Sequence, residues 1–250
     1  MTNFSEIKVS RDGERCTISF DRTEALNAIT PNMLEELNTA ATAASEDASI
    51  RFVVLTGEGR SFSAGVDLKA LGERQLVNGK VGDILDLPAR RLTSTLSSMP
   101  KVTIARVNGF CFTGALELAI SCDLLVVASN AKLGDTHAKF GLRPTWGLSQ
   151  RLPELVGLAK ARELSFTARI FSGEEAAQWG LATEAVALED LDNRIDDLIE
   201  EMSANSSESF VAYKNLYAAS SQMGLETGLE FEGVTNYQFS DTEERLKGFR

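Results

Sequence analysis

Two segments of the chain share one plan: an apolar stretch, a glycine-bearing loop, and then a pattern typical of the start of a helix. The first runs from Leu55 to Leu68 and the second from Val107 to Leu118. The apolar stretches predict buried strands, and the small loop residues allow another group to approach the backbone closely. Backbone N–H groups at a helix start have no partner within the helix. We therefore expect an α/β chain in which two such N–H groups can face one bound oxyanion.

The two loops place specific residues at these positions. Val66 is expected to begin a helix after the small pair Ala64 and Gly65, with Asp67 in its first turn, where a carboxylate suits the helix dipole. Gly114 offers an unhindered N–H at the second helix start. The first loop taken alone is more typical of a plain tight turn with a favourable acidic residue, so the prediction of an oxyanion site depends on the two loops occurring together.

Strand and helix signals alternate only in the first two-thirds of the chain. Thr30 has the residue type of a helix N-cap and Pro31 that of a first helical position. Residues 70–88 are less regular, because glycines and Pro88 interrupt a polar segment, and we expect a loop or a short helix there. From Leu188 onward only helix patterns follow. We therefore predict repeated β-β-α units in residues 1–190 and, in residues 191–250, a helical region for packing or oligomerisation.

Composition excludes several classes of function. The chain has 250 residues and a formal net charge of −11, which disfavours non-specific nucleic-acid binding. No apolar run approaches the ~18 residues that a membrane span needs, and the first residues lack the apolar core of a signal peptide. Three cysteines without metal-ligand spacing indicate a reduced, cytoplasmic protein. His137 is the only histidine, so we expect no histidine-based metal site and predict no bound metal.

Glu117 is the candidate for proton transfer. It lies three residues after Gly114, on the same face of the predicted helix and one turn along it. A glutamate in a first turn is commonly a solvent-facing residue. Here its neighbours are apolar, from Ala115 to Ile120, which predicts a buried helix. A buried carboxylate is unfavourable unless it has a partner or a function.

The chain resembles the enoyl-CoA hydratase/isomerase (crotonase) superfamily over nearly its whole length. The resemblance depends on the order and spacing of short motifs, each weak alone. They are Leu26-Asn27-Ala28, Ala64-Gly65-Val66-Asp67-Leu68, Pro100-Lys101-Val102, Val107-Asn108-Gly109, the stretch from Gly114 to Leu118, Cys122-Asp123, Gly141-Leu142-Arg143-Pro144, Gly147, Gln150-Arg151-Leu152 and Gly180-Leu181.

The resemblance implies an α/β fold, a spiral of β-β-α units with a C-terminal helical region, assembled as trimers or dimers of trimers. It implies that Val66 and Gly114 donate the two oxyanion N–H groups and that Glu117 is one of two catalytic glutamates. It also implies a site for coenzyme A and the acyl group formed by Ala25, Leu26, Ala64, Gly65, Asp67, Leu68 and Gly109, and the position of Trp146 in the motif order makes it a further candidate for this site.

The chain departs from this pattern at the second glutamate, where the alignment places His137. An imidazole could orient water or exchange protons near neutral pH, or it could simply bond to Asp135 or to the backbone. Asp135 is a weaker acid/base candidate because it is offset by two positions. Trp146 stands where a small residue is expected. It could narrow the acyl pocket or only fill the core.

The resemblance implies hydration of a 2-enoyl-CoA thioester in fatty acid metabolism, with the enolate stabilised by the oxyanion hole. Alternatives are a Δ3,Δ2-enoyl-CoA isomerase, other CoA-ester chemistry of the superfamily, and a non-catalytic acyl-CoA binder. No separate cofactor is expected, because coenzyme A enters as part of the substrate. The expected partners are this thioester and further copies of the chain, with no nucleic acid and no membrane.

Overall fold

The computed structural model describes residues 4–69, 72 and 77–249. The chain divides into two compact units, one ending at Asp196 and the other beginning at Asp197. Residues 70, 71 and 73–76, part of the segment predicted to be a loop or short helix, lie outside the described residues.

The first unit contains a six-stranded sheet, whose middle strands are largely buried. Its order is β1-β2-β3-β5-β7-β10, and every pair except β1 and β2 is parallel. The strands are β1 (Ile7–Asp12), β2 (Arg15–Phe20), β3 (Phe52–Gly57), β5 (Val102–Val107), β7 (Leu124–Ala128) and β10 (Glu184–Val186). Strand β3 is buried at every residue, as expected for a parallel sheet covered on both faces.

A second, four-stranded sheet has the order β4-β6-β8-β9. These short strands are β4 (Ser61–Ser63), β6 (Phe110–Phe112), β8 (Lys132–Gly134) and β9 (Phe171–Ser172). The chain repeatedly passes from a strand of the first sheet to one of the second and then into a helix. This confirms the predicted crotonase-like spiral of β-β-α units.

Helices α1 to α6 complete the first unit. They are α1 (Pro31–Glu46), α2 (Asp83–Ser98), α3 (Gly114–Ala119), α4 (Leu148–Val156), α5 (Leu158–Thr167) and α6 (Gly173–Gln178). The hydroxyl of Thr30 accepts a hydrogen bond from the backbone N–H of Met33 at 3.0 Å, so the predicted N-cap of α1 is confirmed.

Helix α2 corrects the prediction for residues 70–88. Asp83 begins a 16-residue helix, and Pro88 lies inside it rather than ending it. Tertiary packing explains the difference: one face of the helix is buried, including Leu85, Leu92 and Leu96. The buried side chain of Asn38 on α1 donates a hydrogen bond to the carbonyl of Pro88 at 2.9 Å, which joins the two helices.

From Asp197 onward the chain is helical, as predicted. Helix α7 (Leu191–Ser203) crosses the boundary between the units, and α8 (Ser207–Ser220), α9 (Leu225–Val234) and α10 (Thr242–Leu246) follow. Ser206 before α8 donates a hydrogen bond to Asp241 before α10 at 3.0 Å, which ties the two ends of this unit together. Among the described residues, no strand follows Val186.

Candidate active site

Residues 64–67 run beside residues 26–29 and are held there by backbone hydrogen bonds. Ala64 donates to Leu26 at 2.9 Å, and Asp67 donates to Ile29 at 2.9 Å. Val66 therefore forms a single β-bridge with Ile29, and a turn follows it. The prediction that Val66 begins a helix is wrong, because pairing with residues 26–29 takes its place. Within the described part of the chain, the N–H of Val66 still has no hydrogen-bond acceptor.

Gly114 is the first residue of α3, as predicted, and follows Thr113 in a strained backbone conformation with φ 50° and ψ −114°. Its N–H likewise has no acceptor among the described residues. Gly65 explains how the two loops meet. With φ +93°, it lies so close to β6 that an added Cβ would be 2.7 Å from the hydroxyl of Thr113. Val66 and Gly114 consequently face one cavity.

This cavity has a volume of about 300 Å³ and a mostly apolar lining. Its mouth carries exposed side chains, among them Leu68 and Phe140. Its inner end is formed by buried residues. The lining residues are Ala64, Val66, Leu68, Val81, Phe112, Thr113, Gly114, Glu117, Thr136, His137, Lys139, Phe140, Leu142, Arg143, Thr145, Trp146 and Ile170.

Glu117 lies at the inner end and is only 1% exposed. Its Oε1 accepts two backbone hydrogen bonds, from Trp146 at 2.9 Å and from Leu148 at 3.0 Å. These bonds fix the carboxylate and leave Oε2 for the cavity. Burial raises the pKa of Glu117 above its usual value, although the two N–H groups and the nearby His137 act in the opposite direction.

His137 is held between two carboxylates. Its Nδ1 lies 2.7 Å from Oδ1 of Asp135, and its Nε2 lies 3.6 Å from Oε2 of Glu117. The bond to Asp135 is therefore present, and the imidazole also faces Glu117, whereas its role in orienting water or exchanging protons stays a prediction. Burial acts to raise the pKa of Asp135, but hydrogen bonds from His137 and Ser165 outweigh it and hold that pKa below its usual value.

Trp146 both fills the core and lines the cavity, being 3% exposed. Its indole packs on Gly114, where an added Cβ would lie 2.4 Å from the ring. The indole N–H donates a hydrogen bond to Oδ1 of Asp86 at 2.9 Å, and the hydroxyl of Thr145 donates to the same oxygen at 2.6 Å. Asp86 is a buried residue of α2 that sequence reasoning missed, because its segment was read as irregular.

Five predicted binding residues do not line this cavity. Gly65 and Leu26 hold the cavity-lining loop in place through the contacts given above. Ala25 is the last residue of a short 3-10 helix that ends directly before Leu26. Asp67 forms an ion pair with Arg22 at 3.1 Å. Gly109 has a packing role instead: an added Cβ would lie 2.1 Å from the carbonyl oxygen of Arg60. Gly109 does not line the cavity, and its contact with the substrate stays a prediction.

Two absences hold for the residues that the structure describes. No group of three or more His, Cys, Asp or Glu side chains has an arrangement that could hold a metal ion. No described helix combines the length and the apolar character needed to cross a bilayer.

Comparison with known proteins identifies the family. The sequence profile of the family described as enoyl-CoA hydratase/isomerase matches residues 12–250. A relative from Arabidopsis thaliana, named probable enoyl-CoA hydratase 1, peroxisomal, is 31% identical over 98% of this chain and 94% of its own length. A solved enoyl-CoA hydratase from Bacillus anthracis is 30% identical, with a TM-score of 0.89 over 98% of this chain and 96% of that one.

A third similar protein is from Thermobifida fusca, and its structure was solved in complex with CoA. It is 30% identical, with a TM-score of 0.81 over 98% of this chain and 94% of that one. Profile, sequence and fold agree over nearly the full length. The chain belongs to the enoyl-CoA hydratase/isomerase family.

Proposed function

We propose that the protein is an enoyl-CoA hydratase, which adds water to the double bond of a 2-enoyl-CoA thioester. The observation that carries the proposal is the 3.6 Å separation of Glu117 Oε2 and His137 Nε2 in the cavity that Val66 and Gly114 also line. Two proton-transfer groups and two free N–H donors are what this addition requires. The family membership and the CoA complex of the T. fusca protein support an acyl-CoA substrate.

In the proposed step, the thioester oxygen accepts hydrogen bonds from the N–H groups of Val66 and Gly114. Glu117 takes a proton from water as the water oxygen bonds to C3, and the π electrons move onto the thioester oxygen. Each oxyanion donor of this kind stabilises the transition state by about 3–4 kcal/mol. The enolate then collapses, and C2 takes the proton from Nε2 of His137.

The pair returns to its starting state when the proton on Glu117 passes to His137. The 3.6 Å gap is longer than a direct hydrogen bond, so a substrate atom or a water can lie between the two groups. Asp135 supports the charged imidazole that donates to C2, because its carboxylate accepts the bond from Nδ1. Ala64 and Leu68, at the cavity wall and mouth, are proposed to contact the CoA portion.

The test is a panel of acyl-CoA thioesters followed by mass spectrometry, with wild type beside Glu117→Gln and His137→Gln. Hydration adds the mass of one water to a trans-2-enoyl-CoA, and we expect wild type to do this and both variants to lose it. The matched control is Glu46→Gln, an exposed glutamate at the end of α1 and outside the cavity. Absence of hydration by wild type across all chain lengths contradicts the proposal.

The same panel separates the alternatives. An isomerase converts a 3-enoyl-CoA into the 2-enoyl isomer without a change of mass, which chromatography resolves. A non-catalytic binder retains acyl-CoA and gives no product. The departure at His137 motivates both alternatives, and an activity lost in Glu117→Gln eliminates the second.

We further propose a cytoplasmic enzyme of fatty acid metabolism that needs no cofactor besides the CoA of its substrate, assembled as a trimer or a dimer of trimers. The exposed apolar side chains of α8 and α9, such as Tyr217 and Leu225, support a role of the second unit in assembly. Light scattering on the purified full chain measures the oligomeric mass, and a monomer contradicts the assembly.

A further inference from the structure

Trp146 lines two cavities. One is the apolar cavity of about 300 Å³. The other is a polar cavity of about 490 Å³, lined by charged side chains that include Arg90 and Arg151. Arg143, Thr145 and Trp146 line both. Trp146 is the most buried and the largest of these shared residues. Its indole contacts Gly114, which lines the apolar cavity, and Asp86, which lines the polar one, so the ring forms a partition between the two linings.

The partition is fixed at three points. The backbone N–H of Trp146 donates to Glu117, and its carbonyl accepts a hydrogen bond from Arg151 at 3.3 Å. The indole N–H donates to Asp86. Because Asp86 is itself buried in α2, rotation of the ring would leave a buried indole N–H unpaired and the buried carboxylate with only the bond from Thr145. The wall is therefore rigid, whereas the mouth of the cavity is formed by exposed side chains.

The ring also touches the reacting region. It packs on Gly114, the proposed oxyanion donor, while the backbone of the same residue holds Glu117. An acyl chain whose carbonyl lies at Gly114 and whose double bond lies at Glu117 meets the indole directly beyond them. A cavity of this volume is at the lower end of the range for small-molecule sites.

We propose that Trp146, positioned by Asp86, sets the acyl specificity of the site and restricts it to short-chain acyl groups. The inference deepens the proposed function and depends on the acyl group entering this cavity. Shortening the side chain at this position joins the two cavities and gives longer chains a path past the wall. Each additional buried CH₂ then strengthens binding by about fourfold.

The test measures binding and turnover separately. The probes are butanoyl-CoA and decanoyl-CoA, saturated thioesters without a double bond to hydrate, titrated by calorimetry into wild type, Trp146→Ala, Trp146→Phe and Asp86→Ala. Hydration of the matching 2-enoyl-CoA esters is followed in parallel. Circular dichroism and thermal unfolding establish that each variant is folded, and Trp146→Leu replaces Trp146→Ala if the latter is not.

We expect wild type to favour the short ester, and Trp146→Ala to shift the ratio of the two dissociation constants toward decanoyl-CoA by about tenfold or more. Trp146→Phe keeps most of the ring and should shift it less. Asp86→Ala frees the indole and should give an intermediate shift. The inference is overturned if the ratio of the two dissociation constants is unchanged in Trp146→Ala, or in Trp146→Leu where that variant replaces it. It is also overturned if wild type binds both esters equally or binds neither. Selective binding without hydration would contradict only the proposed function.

Discussion

Glu117 Oε2 and His137 Nε2 lie 3.6 Å apart at the buried end of one cavity, although 20 positions separate them in the sequence. Trp146 and Leu148 fix the carboxylate from behind, and Asp135 fixes the imidazole. Two groups held this way can give and accept protons at one substrate without rearranging first.

Replacing Glu117 by Gln should lower kcat by about 10²- to 10⁴-fold, the usual contribution of a positioned acid or base. The amide oxygen can still accept hydrogen bonds from Trp146 and Leu148, so the local fold should persist. Steady-state hydration of a 2-enoyl-CoA measures the loss, and Glu46→Gln should retain wild-type kcat. A loss below threefold would remove Glu117 from the mechanism.

The pH dependence of activity should reflect the raised pKa of Glu117. Because only the ionised carboxylate accepts a proton from water, kcat/KM should fall as the pH drops through that pKa, and the fall should begin above the ordinary glutamate value of 4.5. A rate profile measured in buffers of constant ionic strength provides the check. A profile that stays flat down to pH 4.5 is the contrary result.

Stability should depend on pH through the same residue. Burial raises the pKa of the Glu117 carboxyl in the folded state above its value in the unfolded state. The group therefore contributes to stability at a pH below the unfolded-state pKa, and this contribution is lost as the pH rises through the folded-state pKa. Glu117→Gln lacks the titrating group. Its unfolding free energy relative to wild type should therefore increase between acidic and neutral pH, as measured by urea denaturation. The opposite slope would mean that the carboxylate is stabilised, not penalised, by its surroundings.

Replacing Asp135 by Asn should reduce kcat by about 10- to 100-fold while changing KM little. Residues that orient a functional histidine through a hydrogen bond to its second ring nitrogen have effects of this size in other proteins. The amide can still accept from His137 Nδ1 but no longer carries the charge that supports the imidazolium. If Asp135 had a purely structural role, the variant would lose stability and activity together, and kcat would not fall while KM stayed nearly constant.

Replacing Gly114 by Ala should destabilise the fold by about 1–3 kcal/mol, because the new Cβ would lie 2.4 Å from the Trp146 ring. Adding Trp146→Ala should relieve this loss, so the two effects should not be additive in thermal unfolding. Additive losses would show that the contact is not the cause. Gly228→Ala on α9 is the control: with no described atom within 4 Å, it should stabilise the helix by about 0.5–1 kcal/mol.

The sequence by itself determined the family, the β-β-α spiral, the helical end of the chain, and Glu117 one turn after Gly114. The family and the spiral come from the resemblance, which depends on the order of short motifs along the chain. The helical end and the position of Glu117 depend on short-range spacing and apolar periodicity, which the order of residues contains directly. The start of α1 is of the same kind, since Thr30 caps a helix with its own neighbours.

Only the tertiary structure decided how the pieces meet. Val66 reaches the cavity through a β-bridge to Ile29 and not through a helix, because backbone pairing with a distant segment outweighs the local pattern. Helix α2 forms over a proline because its apolar face is buried, and only then does Asp86 reach Trp146 across 60 positions. The surroundings of His137 were likewise decided by folding, which placed a carboxylate near each nitrogen of its ring. The approach of Glu117 to this ring leaves no signal in the local sequence around either residue.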